Sequence, residues 1–416
     1  MRLALKRIVQ NLPPPSMYVD FATDQNLGLR KTNTTLTFTR AASGTYFDRD
    51  LVLQTGATNA ARFDYNPTTG KSLGLLIEEA RTNSFLYSEQ ADNAAWSKIG
   101  ATVTANGVIA PDGNSTADTL VNTAGIISLF QQNITVPASS TNDYYPTCFV
   151  KLGVVSDANK DITFNCYYNG NAEDNVSFRL SNLTASAVPY SGEYICQNVG
   201  NGWYRIGFRM TRDATGLATL ILVRMWVGRR SVGVIGDTQP IWGVQLEKGA
   251  FPTSYIPTTT AAATRAVDVC STTSIAPWFN AVEGAFVVGG TMINPAGTQV
   301  WLGMHNGTSN ERFRVINTSA TQTRLSSITG GSETAAINIA TAFNGQQKLV
   351  AAYKDNDYGF SINSGEVGTD TAVIFPVVTT LAVGNDRGLI PLNGWISSIA
   401  YYPRRLPNTL LQRLSK

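Results

Sequence analysis

Six residues of the chain, Trp203, Arg205, Arg209, Arg224, Trp226 and Gln245, are of the types that can hold a sugar. An indole offers a flat apolar surface to the face of a pyranose, and planar guanidinium and amide groups bridge its hydroxyls. Their use depends on geometry. In residues 203–211 the alternation puts Tyr204, Ile206, Phe208 and Met210 on one side of a strand and Trp203, Arg205, Gly207 and Arg209 on the other. Residues 218–227 likewise give Arg224 and Trp226 to a single side. If these strands share a concave sheet, the six residues make one carbohydrate-binding surface. Aromatic and arginine side chains are also enriched at interfaces, so packing under loops or against another subunit is the competing expectation.

Residues for bond-breaking chemistry are sparser. The single histidine, His305, precedes Asn306-Gly307, the sequence of a surface hairpin turn. One imidazole cannot build a multi-histidine metal site, and no nucleophile is marked for a serine triad. Neither the full phosphate-cradling pattern Gly-x-x-x-x-Gly-Lys-Ser/Thr nor a His-Glu-x-x-His helix occurs: Gly70-Lys71-Ser72 lacks the upstream glycine, Tyr65 standing in its place. Glycoside hydrolysis needs two carboxyls about 5 to 9.5 Å apart. Glu78 and Glu79 are adjacent and would point to opposite faces of a strand, so a hydrolase would need carboxyls brought together by the fold. Asn385-Asp386 and Asp355-Asn356-Asp357 offer oxygens to calcium, but Asp and Asn are ordinary turn residues. No catalytic residue, metal or cofactor is assigned.

The elements that would position the six residues are strands. Charged residues make up 15% of the chain, against about 25% in an average globular protein, and Thr, Ser, Asn and 36 glycines fill the difference. Strand candidates run over residues 144–151, 162–168, 176–180, 203–211, 218–227 and 241–247, with turns such as Asn169-Gly170 and Asn201-Gly202 between several of them. The fold class is all-β, as tandem sandwiches. The net charge of +3 is too small to imply a nucleic-acid partner, and Arg229-Arg230 and Arg404-Arg405 are short, isolated pairs. Cys148, Cys166, Cys196 and Cys270 show no metal-type spacing, which suits buried free thiols and folding in a reducing cytoplasm. The most apolar run, residues 217–228, is broken by Arg224 and is too short to insert in a membrane.

The expected organisation has five parts. Residues 1–17 place Leu5, Ile8, Val9 and Leu12 at helical spacing before Pro13-Pro14-Pro15, a candidate anchor that either docks on a partner or packs on its own domain. Residues 18–83 read as a hairpin-rich region with too little core to stand alone, leaning on a neighbouring domain or subunit. Residues 84–257 form a sandwich of the carbohydrate-binding-module type, 258–276 a Thr/Ala-rich linker, and 277–416 a second sandwich. In the last, Ile396 is expected to be buried on a strand ended by Pro403. Asn408 is expected to cap a short helix carrying Leu410, Leu411 and Leu414.

Longer words of sequence carry a resemblance. Leu36-Thr37-Phe38-Thr39-Arg40, Gly44-Thr45-Tyr46-Phe47-Asp48, Arg62-Phe63-Asp64-Tyr65 and Leu75-Leu76-Ile77-Glu78-Glu79-Ala80-Arg81-Thr82-Asn83 stand before Tyr87-Ser88-Glu89-Gln90. The module closes on Gln245-Leu246-Glu247-Lys248-Gly249-Ala250-Phe251-Pro252-Thr253-Ser254-Tyr255-Ile256-Pro257. Over residues 36–268 this resembles virion-surface proteins of tailed bacteriophages, of the head fibre, decoration, tail fibre or spike type. Gly394-Trp395-Ile396 to Leu406 resembles the closing strand of laminin-G or concanavalin-A-like domains, without the Glu-x-Asp-x-x-Glu strand of that fold's glucanases. The resemblance implies a homotrimer, made in the host bacterial cytoplasm and displayed on the virion surface. It would be bound to other virion proteins through its N-terminal region and adhere to host glycans. A purely structural virion component and a polysaccharide depolymerase are the alternatives.

Overall fold

The computed structural model describes residues 14–137, 143–156, 160–169, 172–189, 192–211, 213, 218–295 and 297–416. The candidate anchor residues Leu5, Ile8, Val9 and Leu12 lie outside them. The described chain is all-β, with two short helices, Phe21–Asp24 and Asn408–Leu414, and every strand pairing is antiparallel.

The first sandwich has two six-stranded sheets. In what we call the open sheet the order is Ser97–Ile99, Leu129–Thr135, Leu220–Trp226, Asp161–Tyr168, Asp174–Arg179, Thr184–Ser186. In the covered sheet it is Ala101–Val108, Ala117–Asn122, Thr238–Lys248, Tyr144–Lys151, Trp203–Phe208, Tyr194–Gly200. Alternation sorts the side chains. Ile162, Phe164, Cys166 and Tyr168 enter the core with Ile221, Val223 and Met225, and meet Cys148, Val150, Ile206 and Phe208 from the facing sheet. Phe164 and Phe208 close the gap edge-to-face at 5.8 Å. Each such buried side chain stabilises by about 1.5–3 kcal/mol, so the register is held by the core rather than by the turns.

The second sandwich is assembled from two stretches of sequence, one on each side of the first. Its eight-stranded sheet contains Gly368–Asp370, Tyr358–Ile362, Gln347–Lys354, Glu283–Met292 and Gly394–Tyr402, and continues through Ser72–Ile77 and Phe63–Tyr65, while Met17–Asp20 also pairs with Gly394–Tyr402. Its seven-stranded sheet runs Ser332–Ala340, Gln322–Thr329, Arg312–Ser319, Gln299–His305, Thr380–Val383, Val269–Thr272, Thr37–Thr39. Met17, Val19, Phe38, Leu75 and Ile77 accordingly share one core with Phe286, Phe313, Tyr353 and Ile396. Gly74 marks how closely the early strands dock: its φ is +100°, and a Cβ there would meet the Ile396 carbonyl oxygen at 2.3 Å.

Two boundaries therefore differ from expectation. Residues 18–83 are not a separate hairpin region, because their apolar strands complete the second sandwich. Residues 258–276 are not a linker: Ala263–Arg265 pairs with Arg81–Asn83, and Val269–Thr272 fills the gap between Thr37–Thr39 and Thr380–Val383. The Thr-rich composition that reads as a loop is also that of a strand. At the C-terminus Ile396 is buried and its strand ends at Tyr402, as expected, and Leu411 is buried on the helix. The helix is capped by Pro407 with no side-chain bond, and Asn408 is its first residue; the Asn408 side chain accepts instead from Arg405 Nη2 at 2.7 Å.

Candidate functional site

The structure divides the six sugar-type residues between opposite sides of the first sandwich. Trp203, Arg205, Gln245 and Arg209 belong to the covered sheet or its end, and Arg224 and Trp226 to the open sheet. Their strands do not share a sheet, so the single surface expected from the sequence does not form.

On the covered sheet the outward residues are overlaid by the hairpin Gly44–Phe47/Leu53–Gly56 and by residues 252–256. Trp203 is 1% exposed, packed with Leu53, Phe149, Trp242 and Tyr255, and its Nε1 donates to the Ile109 carbonyl at 2.9 Å. Gln245 is buried, donating to Glu247 at 2.7 Å and accepting from the Ile256 N–H at 2.7 Å. Arg209 pairs with Asp143 and Glu193 at 3.0 Å each. Arg205 donates to the Thr253 carbonyl at 2.7 Å and borders a cavity between the sandwiches.

Beneath this cover lies a buried ion cluster. Arg62 pairs with Asp268 at 2.5 Å and with Glu78 at 2.8 Å; Arg40 pairs with Asp268 and Arg265 with Glu78, both at 3.2 Å. Glu78 also accepts from the Ser254 N–H and hydroxyl at 2.8 and 2.7 Å. Burial alone would raise the Glu78 pKa, but the guanidinium groups of Arg265 and Arg62, with the Ser254 bonds, hold it down to about 2. The residues of this cluster come from the words that carried the phage resemblance: Arg40, Arg62, Glu78 and Ser254, with Arg265 and Asp268 after them. The sequence reading did not assign them this role. A signal was available, since they are charges set among apolar residues in a charge-poor chain.

The outward side of the open sheet is different. In-register pairing sets Gln131, Arg224, Asn165 and Asn175 in one row across four strands. Arg224 donates to Gln131 and to Glu173, both at 2.9 Å, with its guanidinium 4.9 Å from the Tyr167 ring centre. Arg230 donates to the other Glu173 oxygen at 2.7 Å and lies 5.2 Å from the Trp226 ring centre. Burial opposes ionisation of Glu173, but Arg230 and Arg224 together hold its pKa below the usual carboxylate value. Two cations share one anion. Trp226 Nε1 and Asn165 Oδ1 are buried there without hydrogen-bond partners. Beside the row, Gln131, Asn133, Ser97 and Thr135 border a depression of about 580 Å³. Tyr167, Asn165, Asn175 and Glu173 are not named from the sequence, and Arg230 is read there only as half of an isolated basic pair; the alternation of residues 161–168 could have placed the first two.

The remaining candidates are structural. His305 is 6% exposed at the end of its strand, not on a surface turn, and its Nδ1 accepts from the Gly307 N–H at 3.0 Å. Burial lowers its pKa. Asp386 is held by Arg312 at 2.9 Å and Arg314 at 3.1 Å, and Asp357 by Arg405 at 2.9 Å. Among the described residues no group of three or more His, Cys, Asp or Glu could hold a metal ion, and no helix is long and apolar enough to cross a membrane. All four cysteines are free; three are buried and Cys196 is half-buried.

No protein-family model matches the chain, and no curated protein matches it. Solved structures with a related architecture include the CBM40 domain of the Ruminococcus gnavus IT-sialidase, at 16% identity over 33% of this chain and 84% of that domain, TM-score 0.30. The mouse laminin alpha1 domains LG4-5 align at 8% identity over 67% of this chain and 88% of theirs, TM-score 0.24. The CBM22 tandem of Paenibacillus barcinonensis Xyn10C aligns at 8% over 77% and 98%, TM-score 0.27. At such identities and TM-scores the likeness assigns no role; the sheets themselves show an all-β chain of antiparallel sandwiches.

Proposed function

We propose that the protein is a glycan-binding adhesin of a phage virion surface, and that its sugar site is the outward side of the open sheet. The observation that carries this reading is the row Gln131–Arg224–Asn165–Asn175 with Trp226 and Tyr167 beside it, a planar polar ladder with unsatisfied donors and acceptors. The adjoining depression of about 580 Å³ suits a run of linked sugars lying across the strands. Contacts of this kind are individually weak, and several copies on one particle, as a trimer or a denser array, convert them to useful avidity. Binding without cleavage fits the carboxylates of the junction, which are saturated: Glu78 by Arg62, Arg265 and Ser254, and Asp64 by Phe47, Tyr65 and Trp395.

The test is a glycan array of bacterial surface polysaccharides probed with the full chain and with Arg224→Ala. Binding that disappears in the variant supports the site; silence across the array sinks the adhesin reading. The virion placement rests on the sequence words, and deletion of residues 1–15, which include Leu5, Ile8, Val9 and Leu12, is expected to block incorporation into particles. Normal incorporation of the shortened chain would remove the anchor assignment.

A purely structural virion role is favoured by a different observation. Ile99, Ile126, Ile127, Val154, Val232, Val234 and Ile235 are all exposed. Their loops are tied together by bonds from Thr123 to Gly100, Gly236 to Asn122 and Thr238 to Val154. Such an aliphatic tip suits contact with protein. Particles that assemble and infect normally with Arg224→Ala would decide for it.

A further inference from the structure

A cavity of about 260 Å³ lies where the covered sheet, its overlying hairpin and the second sandwich meet. The sheet supplies Arg205 and Gln197, which are direct cross-strand partners; the hairpin supplies Tyr46 and Phe47; the second sandwich supplies Thr291 and Trp395. These six are half-buried, so they form a rim that solvent reaches. Trp395 is fixed in orientation because its Nε1 donates to the Asp64 carboxylate at 2.8 Å, and that carboxylate is held in turn by the Phe47 N–H at 2.7 Å. Arg205 spends Nη2 on Thr147 and Thr253, and its buried Nε has no partner. The space is just below the roughly 300 Å³ at which sites for drug-sized ligands begin.

We propose that this cavity is a second carbohydrate site, which takes one neutral pyranose ring between Trp395 and the Arg205–Gln197 pair. A guanidinium beside an amide matches two neighbouring hydroxyls, and an indole held at its edge offers the ring an apolar wall. Charge argues for a neutral sugar. Glu247 and Glu78 already act on Arg205, and Asp64 sits on the opposite wall, so an acidic sugar would add a like charge beside a buried carboxylate. The site differs in kind from the open sheet: it closes around one ring where the other supports a chain. It needs parts of both sandwiches, so neither alone contains it. It does not rest on the open-sheet reading.

The experiment is saturation-transfer NMR on the full chain with the methyl glycosides of glucose, galactose, mannose and N-acetylglucosamine, followed by titration of tryptophan fluorescence. The expected result is binding of at least one glycoside with a Kd on the order of millimolar, as a ligand this small allows. Gln197→Ala and Thr291→Trp, which remove a contact and fill the space, are each expected to weaken it about tenfold or more. Lys354→Ala, whose side chain pairs with Glu283 and does not line the cavity, is expected to leave it unchanged. Unshifted melting temperatures establish that the variants are folded. Absence of saturation transfer from all four glycosides overturns the proposal. Binding kept in both cavity variants overturns it too, and loss in Arg224→Ala alone would move that binding to the open sheet.

Discussion

The two outward sides of the first sandwich carry similar residues and have different fates. One presents Trp203, Arg205 and Gln245, the other Trp226, Arg224 and Gln131. Over the first the chain lays a hairpin and the 252–256 turn, and its indole and amide become packing. Over the second the described residues lay no further sheet, and Arg224 and Arg230 bond to Glu173, Gln131 and Asn175. Residue type on a strand therefore does not make a binding surface. What decides is whether another part of the chain returns to cover it, a fact set by pairings far away in sequence.

The contrast can be broken most forcefully at the covered junction. Asp268→Asn strips Arg40 and Arg62 of their shared counter-charge and is expected to destabilise by about 3–5 kcal/mol, read as a drop in urea midpoint. Trp203→Ala is expected to cost a similar amount, about 3–5 kcal/mol, through the cavity it leaves. A Trp203→Ala protein that keeps its stability yet loses array binding would mean that the covered face is the sugar site, contrary to the division drawn above.

A smaller effect should appear with pH. Burial raises the Asp64 pKa from 3.8 to about 6, against hydrogen bonds from Phe47 and Trp395 and the charge of Arg62. The folded state holds this proton more tightly than the unfolded one, so the group's contribution is full below about pH 4 and is lost as pH rises through 6. Glu78, held at about 2, acts in the opposite sense: its contribution is full above 4.5 and is lost as pH falls toward 2. Relative to the parent, Asp64→Asn should therefore gain stability between pH 4 and 7, by roughly 2–3 kcal/mol at most. Parallel urea midpoints for the two proteins across that range would remove Asp64 as the titrating group.

The open sheet should be nearly silent in stability. Arg224→Ala disturbs a part-exposed pair and is expected to cost under about 1 kcal/mol, while reducing glycan binding about tenfold or more. Lys354→Ala, at a part-exposed 4.0 Å pair with Glu283 on the second sandwich, is expected to change neither beyond about 0.5 kcal/mol. A large loss of stability in Arg224→Ala would show that this face, too, is structural.

The strands themselves were legible from the sequence. Residues 144–151 were placed to the residue, and the inward set Tyr204, Ile206, Phe208 and Met210 does pack into the core. Period-two alternation reports which side of a strand is apolar, and a buried face enforces it. It is silent about which strand lies alongside. For that reason Arg205 and Arg224 were expected on one sheet, and the pairing of Met17–Asp20 with Gly394–Tyr402 could not be foreseen. The Thr-rich stretch around residue 270 failed for another reason: its composition serves strand and loop equally, and only the slot between Thr37–Thr39 and Thr380–Val383 selects the strand. His305 shows the same limit, since Asn306-Gly307 marks the turn correctly while neighbouring strands bury the residue before it.

That the second sandwich is closed by Gly394–Tyr402, with Ser72–Ile77 on one side and Met17–Asp20 docked on it, has a consequence for biosynthesis. On the ribosome, residues 84–257 can collapse as a unit as soon as they emerge, while the strands that preceded them wait with unpaired edges for a partner encoded far downstream. Interrupted translation would thus release a chain with a finished middle and an adhesive, half-built flank, and self-association of such fragments would begin at the earliest strands.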